Sequence, residues 1–251
     1  MYKLPQITLV FWIMKICATT LGETAGDLLS MTLNTGYAVS SIILVSLFLV
    51  TLLIQLFSKK HHPVIYWAVI VATSTAGTTM SDYLDRTLGL GYATGSLILV
   101  TILFAILVIW KKTEKSLSVT EIRSMRAEIF YWAAILVSNT LGTALGDFLE
   151  DNSGLGFSGG AILIGSVLLV IVLAYYFTKL SHVLLFWVAF VLTRPFGATF
   201  GDLLTKSVAK GGMNLGTIGS SLVLFAILAL LVIIAIIKTR STQKAGKNLS
   251  N

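Results

Sequence analysis

Charged side chains are scarce in this sequence and make up only 12% of its 251 residues. Soluble domains carry about a quarter charged residues, so a soluble protein of this length would have too little polar surface to cover itself. The scarcity excludes an ordinary soluble enzyme, a disordered chain and a nucleic-acid-binding domain, although the net charge is +7.

Cysteine and histidine are also rare, with one and three copies. Cys17 lies in an apolar stretch, so no intramolecular disulfide can form and no zinc cluster is encoded. The sequence has no H-E-x-x-H, no G-x-S-x-G and no repeated Ser/Lys or Ser/His pair. We therefore expect neither an enzyme nor a bound cofactor, and leave an aspartyl dyad as the one catalytic arrangement still open.

Long apolar runs dominate instead, since 56% of the residues are apolar and the mean hydropathy is +0.89. A membrane-crossing helix needs about 20 mostly apolar residues. The sequence predicts an all-α integral membrane protein with eight transmembrane helices. The predicted spans are 6–30, 37–58, 63–86, 92–110, 129–150, 157–178, 182–205 and 216–237.

Lysine and arginine collect at one set of span ends. Because cytoplasmic loops are enriched in these residues, we expect both termini to be cytoplasmic, in a multi-pass protein of a bacterial cytoplasmic (inner) membrane. Three basic residues fall on the opposite side: Arg86, Lys206 and Lys210. Thirteen fall on the cytoplasmic side: Lys3, Lys59, Lys60, Lys111, Lys112, Lys115, Arg123, Arg126, Lys179, Lys238, Arg240, Lys244 and Lys247.

One motif, W-x9-G-x3-[GS]-D, occurs four times. A further glycine follows the Asp by nine residues in three copies, and in the fourth it follows after a five-residue insertion. Four copies at fixed spacing indicate an internal repeat. The Trp, Gly and Asp of the four copies are Trp12, Gly22 and Asp27; Trp67, Gly77 and Asp82; Trp132, Gly142 and Asp147; and Trp187, Gly197 and Asp202.

Each repeat contains two predicted spans, so all four copies would cross the membrane in the same sense, as parallel helical hairpins. The longest gap between successive motif Trp residues contains a charged segment, which suggests two four-helix halves. We expect a first half at 1–112, a cytoplasmic linker at 113–128, a second half at 129–240 and a cytoplasmic tail at 241–251.

The repeated motif resembles that of a bacterial family of multi-spanning proteins described as predicted membrane-anchored proteins, over nearly the whole chain. That description implies no activity. In part the motif is also similar to the E-x-G-D-[KR]-[ST] of a family of cation exchangers. Here, however, Glu23 precedes Asp27 by four residues, and a leucine follows the Asp.

The motif aspartates are the candidate cation ligands. Fifteen residues separate each Trp from its Asp, or roughly 22 Å of helix, which places the Asp in the outer part of the membrane. A carboxylate there is costly unless it is paired, hydrated or liganded. Carboxylate and hydroxyl oxygens suit Mg²⁺, Ca²⁺ and Mn²⁺. The predicted metal ligands are Asp27, Asp82, Asp147, Asp202 and Glu23.

Eight residues before each Asp lies a row of side chains that we expect to line a path inward. Two cations break the symmetry, and we expect Arg194 to pair with a motif carboxylate when no ion is bound. Lys15 either lines the path or extends its ammonium to the membrane surface. The predicted path residues are Thr19, Ser74, Asn139, Arg194 and Lys15.

Other interpretations of the motif remain open. Gly-Asp can end one helix and cap another, and the Trp residues can anchor helices at the membrane surface. The small residues at four-residue spacing favour close helix packing. These are Gly22, Gly26, Gly77, Ser81, Gly142, Gly146, Gly197 and Gly201.

The sequence favours a transporter for a cation, most simply a divalent metal such as Mn²⁺. A cation channel, a proton-coupled carrier using the same aspartates and a non-transporting membrane scaffold are the alternatives. The expected partners are the lipid bilayer and a small cation, with no nucleic acid. The oligomeric state stays open.

Overall fold

The structure, a computed structural model, describes residue 5 and residues 7–58, 62–122 and 124–248, with backbone alone for residue 121 and residues 238–248. Several residues of the predicted basic side therefore lie outside the described residues. These are Lys3, Lys59, Lys60 and Arg123, together with the side chains of Lys238, Arg240, Lys244 and Lys247.

Over the described residues the chain is all-helical, as predicted, and contains eight long helices. Seven of these are long and apolar enough to cross a membrane, whereas α1, which carries three charged residues, is not among them. The helices are α1 (Leu9–Asp27), α2 (Tyr37–Phe57), α3 (Pro63–Asp82), α4 (Tyr92–Glu114), α5 (Met125–Asp147), α6 (Gly156–Phe177), α7 (His182–Thr205) and α8 (Thr217–Asn248).

The odd-numbered helices, one from each repeat, form a closed ring. Helix α1 packs on α3, α3 on α5, α5 on α7, and α7 on α1. We call these the inner helices. All four pairs of neighbouring inner helices are in contact, and none of these contacts marks a border between two halves. The division into two four-helix halves therefore stays a prediction.

Each even-numbered helix packs chiefly on the inner helix of the following repeat, not on that of its own. Helix α2 packs on α3, α4 on α5, α6 on α7, and α8 on α1. These outer helices expose large apolar side chains such as Ile42, Leu97, Leu169 and Leu222. The polar motif residues therefore lie inside an apolar shell.

Glycines let the inner helices approach closely. A Cβ added to Gly22 would come within 2.9 Å of the Ser74 backbone, and one added to Gly26 within 2.8 Å of Thr78 Cβ. Both contacts advance by four residues along each chain, so α1 and α3 run parallel. The same relation recurs around the ring, where Gly77 faces Asn139, Gly142 faces Arg194, Gly146 faces Ala198, Gly197 faces Thr19 and Gly201 faces Glu23.

The turn between the helices of a repeat ends with the same pair of positive-φ positions in all four copies. The glycine nine residues after the Asp, or its counterpart Gly216, has a positive φ, as does the residue two positions before it. Glycine and asparagine tolerate this conformation, whereas a Cβ-branched residue does not. The paired positions are Asn34 and Gly36, Gly89 and Gly91, Gly154 and Gly156, and Asn214 and Gly216.

Aromatic side chains fill the ring at the Trp end. The hydroxyls of Tyr66 and Tyr131 lie 2.7 Å apart, and both rings pack edge-on against neighbouring Trp rings. Trp67, Trp132 and Trp187 are at most 5% exposed. The prediction that they anchor helices at the membrane surface is wrong, because they are buried and their rings pack on aromatic neighbours such as Tyr66, Tyr131 and Phe190.

The predicted linker is packed against the helices. Helix α5 begins at Met125, four residues before the predicted span. Glu128, expected in the cytoplasm, is 1% exposed and its Oε1 accepts from Gln55 Nε2 at 3.3 Å. The Trp187 indole N–H donates to the Leu117 carbonyl at 3.0 Å.

Candidate cation-binding site

The four motif aspartates lie at one end of the ring and are at most 4% exposed. The backbone stays helical through each Asp. In the first three repeats the chain continues as a π-helical turn, and in the fourth α7 runs on to Thr205. The capping alternative is wrong, because no side-chain cap hydrogen bond forms at Asp27, Asp82 or Asp147.

Two cations pair with the aspartates across repeat boundaries. Arg86 Nε lies 3.1 Å from Asp82 Oδ1, and its Nη2 lies 3.1 Å from Asp147 Oδ2. Lys206 Nζ lies 3.1 Å from Asp202 Oδ1 and 2.5 Å from Asp27 Oδ2. Each cation thus joins its own repeat's Asp to that of the next repeat.

Lys206 follows the end of α7 and stays charged in this setting. Burial disfavours its ammonium, but the carboxylates of Asp202 and Asp27 outweigh that effect and hold the pKa of Lys206 above its ordinary value.

Arg194 fills the centre of the ring one level below the aspartates. It is fully buried, and its Nη2 donates to Glu23 Oε2 at 2.8 Å and to the hydroxyls of Thr78 and Thr143 at 2.6 Å. These partners lie on α1, α3 and α5, and Arg194 itself lies on α7. A side chain that touches all four inner helices must lie at their common axis.

Lys15 occupies the next level down. It is fully buried, with its Nζ 3.4 Å from Asn139 Oδ1 and 4.1 Å from the centre of the Phe190 ring. The suggestion that it extends to the membrane surface is wrong, because its ammonium points into the ring.

The predicted path residues are brought together inside the ring, where they are buried from solvent. Thr19, Ser74 and Asn139 are fully buried and face glycines of the neighbouring inner helices. The side chains of Arg194 and Lys15 fill the adjacent centre. Their role in lining a path stays a prediction.

Among the residues that the structure describes, two groups of three buried carboxylates meet at the aspartate end. Within each group, one oxygen from every residue lies within 4.8 Å of the others. The first group is Glu23, Asp27 and Asp202, and the second is Asp147, Glu150 and Asp202. Asp202 belongs to both, so the two groups form one continuous acidic surface.

A cavity of about 280 Å³ lies at this end, and its walls include Asp27, Glu150 and Asp202 as well as Arg86 and Lys206. Solvent therefore reaches the acidic surface from the aspartate end. At the Trp end of the ring, the aromatic side chains, Lys15 and Arg194 lie between solvent and the acidic surface.

The sequence reasoning missed Arg86, Lys206 and Glu150 as site residues. Arg86 and Lys206 each follow a motif Asp by four residues, the spacing at which opposite charges meet on a helix. That spacing could have identified both ion pairs within their own repeats. The second carboxylate of each pair comes from the next repeat, which the sequence could not place.

A protein-family model described as Repeat of Unknown Function (DUF347) matches residues 10–61, 65–116, 130–181 and 185–241. The chain belongs to this repeat family. The match confirms the four repeats deduced from the motif, and it specifies neither a source, a membrane anchor nor an activity. No curated protein and no solved structure matches the chain significantly.

Proposed function

We propose that this member of the repeat family is a cation transporter, most simply for a divalent metal such as Mn²⁺. The observation that carries the proposal is the acidic surface formed by Glu23, Asp27, Asp147, Glu150 and Asp202. Three of these residues, Asp27, Glu150 and Asp202, line the cavity. Carboxylate oxygens are the ligands that such ions prefer. Buried acidic groups within membrane spans generally mark ion pathways.

The charge of the site supports a cation as its ligand. Three cationic side chains, Arg86, Arg194 and Lys206, contact the buried acidic groups at this end. Among the described residues, the buried acidic groups at this end number seven: Glu23, Asp27, Asp82, Asp85, Asp147, Glu150 and Asp202. The negative surplus in a poorly solvated site attracts cations.

We also propose that all eight helices cross the membrane, with the four repeats in the same sense and both termini in the cytoplasm. Helix α1 is not among the seven helices apolar enough to cross a membrane, but its charged residues Lys15, Glu23 and Asp27 face the ring and are at most 3% exposed. They therefore add no charge to the lipid-facing surface. The excess of Lys and Arg at the Trp end favours that end as cytoplasmic.

In this orientation the cavity opens away from the cytoplasm, and the filled ring closes the cytoplasmic side. Such an arrangement fits one state of an alternating-access carrier better than a channel, because Arg194 and Lys15 occupy the axis that a channel would keep free. Transport then requires the inner helices to move so that the Arg194 level opens.

A flux assay on the full chain in liposomes tests the function. Vesicles loaded with a dye quenched by Mn²⁺ are exposed to external Mn²⁺, with Mg²⁺, Ca²⁺ and Zn²⁺ in parallel. We expect saturable entry that Asp202→Asn reduces at least tenfold, since Asp202 belongs to both acidic groups. Flux equal to that of empty vesicles would overturn the transport proposal.

A membrane scaffold is the second candidate, because each motif Asp already has a basic partner in the structure. Calorimetry on the purified chain separates the two functions. A carrier binds one of the four ions, and Asp27→Asn, Asp82→Asn, Asp147→Asn and Asp202→Asn show which carboxylates hold it. A scaffold binds none of them.

A further inference from the structure

The four repeats differ at the position four residues after the motif Asp. Repeats 2 and 4 place Arg86 and Lys206 there, and each cation joins two successive aspartates around the ring. Repeats 1 and 3 place Met31 and Asp151 at the same position. We call the space between the motif aspartates of two successive repeats a boundary. Two of the four boundaries thus have a built-in cation, and at the other two the matching residue carries no positive charge.

The boundary between repeats 3 and 4 is the most acidic. Asp147 and Asp202 face each other there, and Glu150 contributes a third carboxylate within 4.8 Å. Glu150 is 8% exposed, and its Oε1 is buried without a hydrogen-bond partner among the described residues. Burying a carboxylate oxygen that accepts no hydrogen bond costs free energy. The two neighbouring boundaries each have a cation, Arg86 or Lys206, between their aspartates, and a bound cation would supply the matching positive charge here.

Among the described residues, the corresponding residues of repeats 1 and 2 belong to no group of three carboxylates. At the boundary of repeats 1 and 2 the residue matching Glu150 is Ser30, whose hydroxyl donates to the Gly26 carbonyl. In repeat 2 it is Asp85, whose Oδ2 accepts from Ser81 at 3.2 Å. Asp85 Oδ1 is the nearest atom to a Cβ built on Gly95 of α4, which places that carboxylate against an outer helix.

We propose that the protein holds one divalent-cation site, formed by Asp147, Glu150 and Asp202 between repeats 3 and 4. The ion takes the place that the Arg86 guanidinium and the Lys206 ammonium take at two other boundaries. One oxygen from each of the three residues lies within 4.8 Å of the others. Two oxygens on opposite sides of an ion are about 4.8 Å apart when each is bound at about 2.4 Å, and this bond length is within the range for Ca²⁺. The cavity gives access, since Glu150 and Asp202 lie in its wall.

This inference rests on the proposed function and narrows it to one ion and three ligands. Calorimetry with Mn²⁺ and Ca²⁺ on the purified full chain, in detergent, tests it. We expect a stoichiometry of one, and at least a tenfold loss of affinity in Glu150→Gln. The matched control is Asp85→Asn, the same position in repeat 2, which should bind like the parent.

A second variant copies the built-in cation of repeat 2 into repeat 3. Asp151→Arg should place a guanidinium near Asp147 and Asp202, as Arg86 lies near Asp82 and Asp147. We expect it to abolish ion binding and to raise the melting temperature, because it neutralises the acidic boundary. A merely misfolded variant would instead lose stability, so the two measurements together distinguish the outcomes.

The possible results separate this inference from the proposed function. A stoichiometry above one would contradict a single site, and a Glu150→Gln variant that binds as tightly as the parent would show that the site lies elsewhere. Either result overturns this inference, while the transport proposal still stands. If the parent binds neither ion and also shows no flux, both proposals are wrong.

Discussion

Arg194 and Glu23 come from the last and the first inner helix, 171 positions apart in sequence, and form an ion pair of 2.8 Å at the centre of the ring. This pair joins repeat 4 to repeat 1. Glu23 also belongs to the acidic group with Asp27 and Asp202. An ion bound by Glu23 would therefore compete with Arg194 for the same carboxylate.

The Arg194–Glu23 pair should be a strong stability determinant. Arg194→Gln leaves Glu23 buried without its cation, and we expect it to cost about 3–5 kcal/mol of unfolding free energy. Unfolding in detergent measures the cost. Adding Glu23→Gln removes the unpaired charge, so the double variant should recover about 1 kcal/mol or more relative to additive costs. Strictly additive losses would show that the two side chains are not coupled.

Close packing at the ring glycines predicts a second stability difference. Gly22→Ala would push a Cβ into Ser74, including its backbone, and we expect a loss of about 1–3 kcal/mol. Gly219→Ala is the matched control, because a Cβ there meets no atom within 4 Å and alanine favours helix by up to about 1 kcal/mol. Equal effects of the two changes in a melting experiment would contradict the packing.

The indole of Trp187 should stabilise the chain more than that of Trp132. Trp187 donates to the Leu117 carbonyl, whereas the Trp132 N–H has no hydrogen-bond partner among the described residues. Trp187→Phe and Trp132→Phe remove similar ring volume. We expect the first to cost about 0.5–1.5 kcal/mol more in unfolding free energy, the net value of one hydrogen bond. An equal or larger loss from Trp132→Phe would argue against the linker contact.

Lys206 should resist deprotonation. The pKa of Lys206 is raised because Asp202 and Asp27 outweigh its burial. Because the pKa of Lys206 is higher in the folded chain than in the unfolded chain, its charged form stabilises the fold. This stabilisation is complete at a pH below the unfolded pKa of about 10.4 and is lost only as the pH rises through the folded pKa. We therefore expect no loss of stability from these ion pairs up to about pH 10.

Amine labelling near pH 9.5, followed by mass spectrometry, checks the charge state of Lys206. Lys206 should react at least ten times more slowly than Lys210, which is exposed. Asp202→Asn should accelerate labelling of Lys206, since it removes one of the two carboxylates that hold the proton. Rapid labelling of Lys206 in the parent would contradict the ion pairs.

The helical class, the four repeats and the concentration of acidic groups at one end of the helices could all be predicted from the sequence. Mostly apolar segments of about twenty residues leave little choice but helix, and the motif spacing places Trp and Asp at opposite ends of each inner helix. The sequence also indicated that the glycines pack closely and that Arg194 requires a carboxylate.

The carboxylate that each cation pairs with in the neighbouring repeat follows from the packing of the helices and could not be predicted from the sequence. Within one repeat, Lys206 can reach Asp202, but its contact with Asp27 exists because α7 closes the ring onto α1. The Trp residues illustrate the same limit. Their position at the helix ends predicted a membrane surface, but the ring places those ends against one another and buries three of the four. Helical periodicity is a local property, whereas the partner of each helical face depends on how the four repeats meet around the axis.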